Sequence, residues 1–431
     1  MFMKKILLFA LLGLAAIVAQ AGPRIEQWTA PSGARVAFVE SRVVPIIDVQ
    51  IDFAAGGAYA PADKAGLAGL TRGLLDMGAG ELDEERIADR LADIGALLGG
   101  GADLDRASVS LRTLSSPRER EAALELLRLV LQQPAFPAAA LEREKARVIA
   151  SIREADTRPA SIAAKRFSAA LYPAHPYGRS ASVDSVERIT REDIVTFYQT
   201  HYGARRAVVS IIGDLSRAEA EAIAQRLTAD LPPAPADAGL PEAAAPERGT
   251  VRVDHPATQA HILLGLPAAR RGDPDYIPLY VGNYILGGGG FVSRLMKEVR
   301  EKRGYAYSVY SYFQPQKQLG PFQIGLQTKR EQAREALQVV NDVLTEFLAH
   351  GPSEAELKAA QRNLADGFPL RIDSNRKLLE YLSVIGFYGL PPTYLDDFPG
   401  QVEAVSAAGI RAAFARHVQP EHLVTVIVGG E

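Results

Sequence analysis

Ile189-Thr190-Arg191-Glu192-Asp193-Ile194, then Phe197-Tyr198 and His201-Tyr202, lead into the β-branched run Ala207-Val208-Val209-Ser210-Ile211-Ile212 and stop at Gly213. The same succession returns 216 residues later as Val405-Ser406, Ile410, Phe414, His417, then Leu423-Val424-Thr425-Val426-Ile427-Val428 and Gly429, with no gap over 25 positions. The offset also carries Leu141 to Leu357 and Tyr172 to Tyr388, so it spans about 73 residues of helical, loop and strand character in the same order. Repeats of about 20 to 50 residues build solenoids, whereas a period near 200 marks a duplicated domain. Between the copies, Leu231 to Thr250 holds prolines at 232, 233, 235, 241 and 246 among alanines and glycines, the composition of a semi-rigid linker. This reading divides the chain into residues 22–230, a linker over 231–250, and residues 251–431.

Within the first copy, 34–40 and 46–53 alternate as a pair of strands, 65–77 and 84–96 have helical spacing, and 106–112 alternates again. Residues 118–132 and 138–156 are helix-periodic, and Ser353 with Glu356 forms a capping box that opens a helix in the second copy. Strands close to one another in sequence, with helices in long runs, predict an α+β protein of two homologous domains. Each is a mixed or mainly antiparallel sheet with helices packed on one face.

The chain has 431 residues, 47% hydrophobic and 23% charged, and its 48 Lys+Arg against 51 Asp+Glu leave a net charge of −3. That balance provides no cationic field for a nucleic-acid backbone, so nucleic acid is excluded as a partner. There is no cysteine, which removes disulfides, thiolate metal sites and cysteine nucleophiles together. At the N-terminus, Lys4-Lys5 precede thirteen apolar or small residues, Ile6 to Val18, and Ala19-Gln20-Ala21 offers a small-x-small cleavage site. Such a run spans about 20 Å as a helix against a ~30 Å hydrocarbon core, so residues 1–21 read as a removed signal peptide and not as an anchor. A periplasmic or secreted protein without a membrane segment is expected.

No GxSxG elbow or GxxxxGK[ST] phosphate loop is present. Gly99-Gly100-Gly101 and Gly287 to Gly290 have no phosphate-contacting lysine and read as turns or close-packing loops. None of the seven histidines pairs at i, i+4 with a carboxylate on a helix; His201 and His417 occupy the same place in the two copies, which favours packing or capping.

Several blocks carry a family resemblance. In the first copy they are Gly66-Leu67-Ala68 through Met77-Gly78, Ile94-Gly95-Ala96, His175-Pro176-Tyr177-Gly178 and Ile189 to Gly213. In the second they are Leu286-Gly287-Gly288-Gly289, Ser293-Arg294-Leu295 and Val299-Arg300-Glu301-Lys302-Arg303-Gly304-Tyr305-Ala306-Tyr307. On these the chain resembles the pitrilysin/insulinase family of zinc peptidases, in the bacterial two-domain processing-peptidase branch. The resemblance implies an inverted HxxEH motif on a helix, two His and a distant Glu holding zinc, and the motif Glu activating water. At the matching positions this sequence has Gly69, Arg72 and Gly73, and the distant position, counted from Glu144, is Ser151. No ligand or base is left, so the resemblance implies no metal in this chain, and Arg72 is expected to bring a positive charge to the zinc position.

The resemblance further implies that Arg300 and Tyr307, seven apart, hold substrate backbone and stabilise an oxyanion, a chemistry that a planar fork of donors and a neutral phenol suit. Without it, Arg300 reads as one charge of a solvated helix end and Tyr307 as one strand aromatic beside Tyr305, Tyr310 and Tyr312. With the resemblance, this pattern of loss and retention implies a non-catalytic, substrate-binding subunit of a heteromeric periplasmic zinc metallopeptidase. Such a chain is inactive alone, with zinc in a homologous HxxEH-bearing partner and an unfolded peptide held between the two. The alternative is an inactive peptide-binding or scaffold protein with no role in catalysis.

Overall fold

The computed structural model describes residues 23–429 apart from 236 and 238; the expected signal peptide lies outside the described residues. Two mixed sheets organise the chain. The first contains β1 (Glu26–Thr29), β2 (Arg35–Glu40), β3 (Ile46–Phe53), β6 (Leu97–Ala102), β7 (Ala107–Leu114) and β8 (Ala207–Gly213), in the order β1-β2-β8-β3-β7-β6. A small hairpin, β4 (Gly78–Ala79) and β5 (Leu82–Asp83), stands apart. The second sheet contains β9 (Gly249–Val253), β10 (Gln259–Ala269), β11 (Ala306–Phe313), β12 (Gly320–Lys329) and β13 (Val424–Val428), in the order β11-β12-β10-β13-β9.

The strands at 34–40 and 46–53 form as expected but do not pair with each other. β8 lies between them, parallel to β2 and antiparallel to β3. Every residue of β8 is buried, and a strand with no polar face has to be covered on both faces, which a central place in the sheet provides. β9 likewise begins at Gly249, inside the stretch read as linker, because an exposed edge strand carries little apolar signal. The proline-rich segment is also pinned: Asp237 accepts hydrogen bonds from Tyr59 (3.0 Å), Arg206 (3.3 Å) and Lys317.

The helices are α1 (Leu67–Leu74), α2 (Glu84–Asp93), α3 (Pro117–Gln132), α4 (Ala138–Ala155), α5 (Pro159–Leu171), α6 (Val183–Glu187), α7 (Arg191–His201) and α8 (Arg217–Thr228) in the first copy. The second has α9 (Tyr276–Asn283), α10 (Ala333–His350), α11 (Glu354–Asp366), α12 (Asn375–Tyr388), α13 (Tyr394–Glu403) and α14 (Ala407–His417). The pairs α3/α10, α5/α12 and α7/α14 each begin 216 residues apart, so the offset read from the sequence is an offset of whole elements. Side chains close the helix starts as the sequence implies, with capping boxes at Thr190, Ser216 and Ser353.

Most helices of each copy pack on one face of their own sheet. The opposite face is covered by exchange: α12 lies across β8, β3 and β2, and α5 lies across β13 and β10. Phe167 and Leu171 of α5 pack with Leu263, Val424, Val426 and Val428, while Leu378, Leu382 and Ile385 of α12 pack with Ala37, Val39 and Ile212. Each fully buried aliphatic or Phe side chain contributes about 1.5–3 kcal/mol, so the exchange joins the copies through several such terms. Gly386 permits the approach, since a Cβ there would stand 2.7 Å from Val208. At the same junction Asp105, 1% exposed, accepts from the hydroxyls of Tyr177 and Tyr388 (the latter at 2.8 Å) and from the backbone N–H of Lys317 at 2.8 Å.

Candidate functional site

α1 buries Leu67, Leu70 and Leu74 beneath it and leaves Gly69 exposed and Gly73 half-exposed on its outer side. Four residues apart, the two glycines share that face, and a Cβ on either would meet nothing within 4 Å. Ser151 is exposed on α4, which packs against α1. The outer face therefore has room for the ligand-bearing side chains of a metal site and none of their donor atoms. These residues do not fit a zinc ion, because glycine supplies no ligand and a single serine hydroxyl cannot make a tetrahedral set. Glu144, from which the distant position was counted, is buried and bound by Arg147 at 2.6 Å.

Arg72 is disposed differently from the expectation. Its guanidinium turns onto the first sheet, where Nε donates to the Ser108 carbonyl at 2.5 Å and Nη2 donates to the Gly99 carbonyl. Across the β6–β7 pair the Gly101 N–H donates to the Ser108 hydroxyl at 3.2 Å. Gly100, at φ 127°, gives the guanidinium its space: a Cβ there would lie 2.9 Å from Arg72 Nη2. The guanidinium is thus engaged by backbone carbonyls of β6 and β7, with Asp76 3.9 Å from Nη1, and turns inward onto the sheet, away from the outer face of α1. Gly99 to Gly101, read as a turn or packing loop, are the edge strand itself.

Arg300 and Tyr307 lie in the second copy, and the structure brings them together. Arg300 sits in the helical turn Met296–Glu301, with its guanidinium carbon 5.0 Å from the Tyr307 ring and 4.7 Å from the Phe291 ring. Its charged neighbours are engaged elsewhere: Lys302 and Arg303 both bind Glu298, at 2.6 and 2.8 Å. Among the described residues Arg300 has no ion-pair partner, and its contacts are the two rings. Tyr307 is 85% exposed because β11, an edge strand, slips register against β12 between Ala306 and Val309. Such bulges re-aim side chains at sheet edges, and sequence reading did not anticipate this one, since a bulge leaves no periodic signal. Tyr305 precedes the strand and packs against the second core, unlike Tyr307. Phe291 and Val292, 63% and 58% exposed, extend the apolar face.

The repeated histidines differ from each other. His201 stacks on Phe197 at 4.4 Å, and burial lowers its pKa to about 4. His417 lies 2.8 Å from the Ala268 carbonyl through Nδ1 and 3.0 Å from Asp275 through Nε2. With Asp273 these form a compact donor group, but both Asp275 oxygens are taken up by Arg416 at 2.7 Å, which makes the corner an ion pair.

Two mixed sheets joined by exchanged helices, with a helix face bare of ligand side chains at 69, 73 and 151 in one copy and a paired Arg and Tyr in the other, define the scaffold. Residues 35–184 match the family described as Insulinase (Peptidase family M16) and residues 188–364 the Peptidase M16 inactive domain. The chain belongs to the M16 family. It is 38% identical to a Pseudomonas fluorescens chain described as a peptidase M16 inactive domain, with a TM-score of 0.91 over 94% of this chain and 98% of that one. It is 25% identical to the non-peptidase homolog YmxG of Helicobacter pylori over 100% of this chain and 99% of that protein. Its fold also matches the periplasmic protease PqqL of Escherichia coli at a TM-score of 0.80 and 18% identity, covering 95% of this chain and 46% of PqqL. Among the described residues no helix is long and apolar enough to cross a membrane.

Proposed function

We propose that this chain is the non-catalytic, substrate-binding subunit of a heteromeric periplasmic zinc peptidase, working with a homologous chain that carries HxxEH. The observation that supports this most is the contrast between the two copies: Gly69, Gly73 and Ser151 offer no ligand set, while Arg300 and Tyr307 are assembled and outward-facing. Zinc, held by the partner, would supply the activated water. In this chain the Arg300 fork would hold a substrate carbonyl, and the Tyr307 phenol would donate to the oxygen on which charge develops. The open edges of β6 and β11 offer unpaired backbone groups to which an extended peptide could add as a strand. The leader-like N-terminus, and a similar fold in a periplasmic protease, support an exported location.

The test is cleavage of a quenched fluorescent peptide by this chain, by an HxxEH homologue encoded beside it, and by the mixture. Activity at least tenfold above the homologue alone, appearing on mixing together with co-elution, supports the proposal. Chelator-sensitive turnover by this chain alone refutes it. Co-elution with no gain in rate favours the scaffold role.

A further inference from the structure

After β10 the chain turns through Gly272, at φ 79°, into α9. That turn, α9, α12, α13 and the helical turn Phe368–Arg371 line a solvent-open cavity of about 550 Å3. A second pocket of about 450 Å3 adjoins it and shares Arg271, Tyr276 and Tyr394 as walls. Four tyrosines wall the main lobe, Tyr276, Tyr280, Tyr381 and Tyr394, together with the guanidiniums of Arg271 and Arg371. None of these residues belongs to the Arg300–Tyr307 face.

The cationic groups here are paired unevenly. Lys377 is tied to Asp373 at 2.9 Å, Arg270 to Glu242 at 3.2 Å, and Arg416 to Asp275 at 2.7 Å. Among the described residues Arg271 and Arg371 have no carboxylate within ion-pair distance. Arg371 donates to the Tyr280 hydroxyl at 2.7 Å; Arg271 interacts with the Tyr276 hydroxyl and lies 5.5 Å from the Tyr388 ring, and its Nε is buried with no partner. Burial pushes the Tyr276, Tyr280 and Tyr394 phenols up, so they remain neutral donors. Glu380 is the carboxylate lining the main lobe, and Asp273 and Asp397 line the second; Asp273 lies 3.7 Å from His417.

We propose that this cavity is a binding site for a small aromatic carboxylate, its anion held by Arg271 and Arg371 and its ring set among the tyrosine faces. Guanidinium forks match carboxylates in two parallel hydrogen bonds, and aromatic walls with a few convergent polar groups in about 300–1,000 Å3 are the usual form of a small-molecule site. The site is separate from the proposed peptide-holding face, so it stands whether or not that proposal does.

Isothermal titration of the full chain with 2-naphthoate, and with neutral 2-naphthalenemethanol, tests it. Saturable one-to-one binding of the carboxylate is expected, at least tenfold tighter than the alcohol. Arg371→Gln, a change at an exposed residue, should weaken it at least tenfold, and Tyr394→Phe should weaken it measurably. Arg416→Gln, outside the cavity, should leave it within twofold, and all variants should keep the parent melting temperature. Absence of binding up to millimolar probe, equal affinity for carboxylate and alcohol, or undiminished binding to Arg371→Gln would each overturn it.

Discussion

Replacing Arg72 by leucine tests whether that side chain is a clamp on the sheet or a cation offered to a substrate chamber. Its guanidinium holds the Ser108 and Gly99 carbonyls, and it is 5% exposed. Leucine keeps much of the apolar stem and removes both donors. A hydrogen bond from a charged donor contributes about 1.5–3 kcal/mol net, and an acceptor stranded on burial costs about 1–3 kcal/mol. Ser108 and Gly99 are half-buried, so water reaches part of what is lost and the low end of each range applies. The expected destabilisation is about 2–4 kcal/mol, read from urea unfolding. Because the lost bonds secure the edge strand, amide exchange across Leu97–Ala102 should accelerate more than in β3 or β8. Arg72→Glu should cost more than leucine, since it points a carboxylate at two carbonyls. A change under about 0.5 kcal/mol with unaltered exchange in β6 would refute the clamp.

The emptied metal positions make a second test. Gly69→His with Gly73→His and Ser151→Glu, Arg72 retained, should yield a chain that keeps about one zinc through dialysis by elemental analysis, with each Gly→His favouring α1 by a few tenths of a kcal/mol. If the triple variant takes up no zinc, these are not the metal positions. In the reconstituted complex, Arg300→Ala or Tyr307→Phe should lower cleavage by roughly 10²–10³ while leaving assembly intact, with Tyr310→Phe as a neighbouring control; equal losses for Tyr307→Phe and Tyr310→Phe would make the block a packing feature. His201 is held at about 4, so between that value and the ordinary ~6.5 the unfolded chain binds more protons than the folded one. Its contribution to stability is complete above about pH 6.5 and falls as the pH drops toward 4, and His201→Phe should flatten that decline. Asp105→Ala leaves three donors at the junction of the copies without their acceptor and should cost at least about 3 kcal/mol, with Tyr388→Phe costing about 1; a thermal scan showing no difference between Asp105→Ala and the parent would remove the junction's assigned role.

The sequence by itself determined the duplication, the type of nearly every element it described, and the identity of the side chains at 69, 73 and 151. Those features rest on local facts: apolar spacing of 2 or 3.6, capping residues such as Ser353, and the identity of side chains at 69, 73 and 151. The expectation that Arg300 and Tyr307 act together came from the family resemblance alone. What only the tertiary structure decided is which partner each buried face meets. Periodicity in α5 and α12 states that a face is apolar, and nothing in it distinguishes their own sheet from the other copy's. The same limit placed β8 between two strands that sequence reading had paired, turned Arg72 onto the β6 edge, and exposed Tyr307 through a bulge. The tyrosine-lined cavity was invisible for the same reason: Arg271, Tyr280, Arg371 and Tyr394 are separated by up to 123 positions and converge only when α9, α12 and α13 pack. Burial against a particular neighbour is a property of the assembled chain, and local pattern carries only its sign.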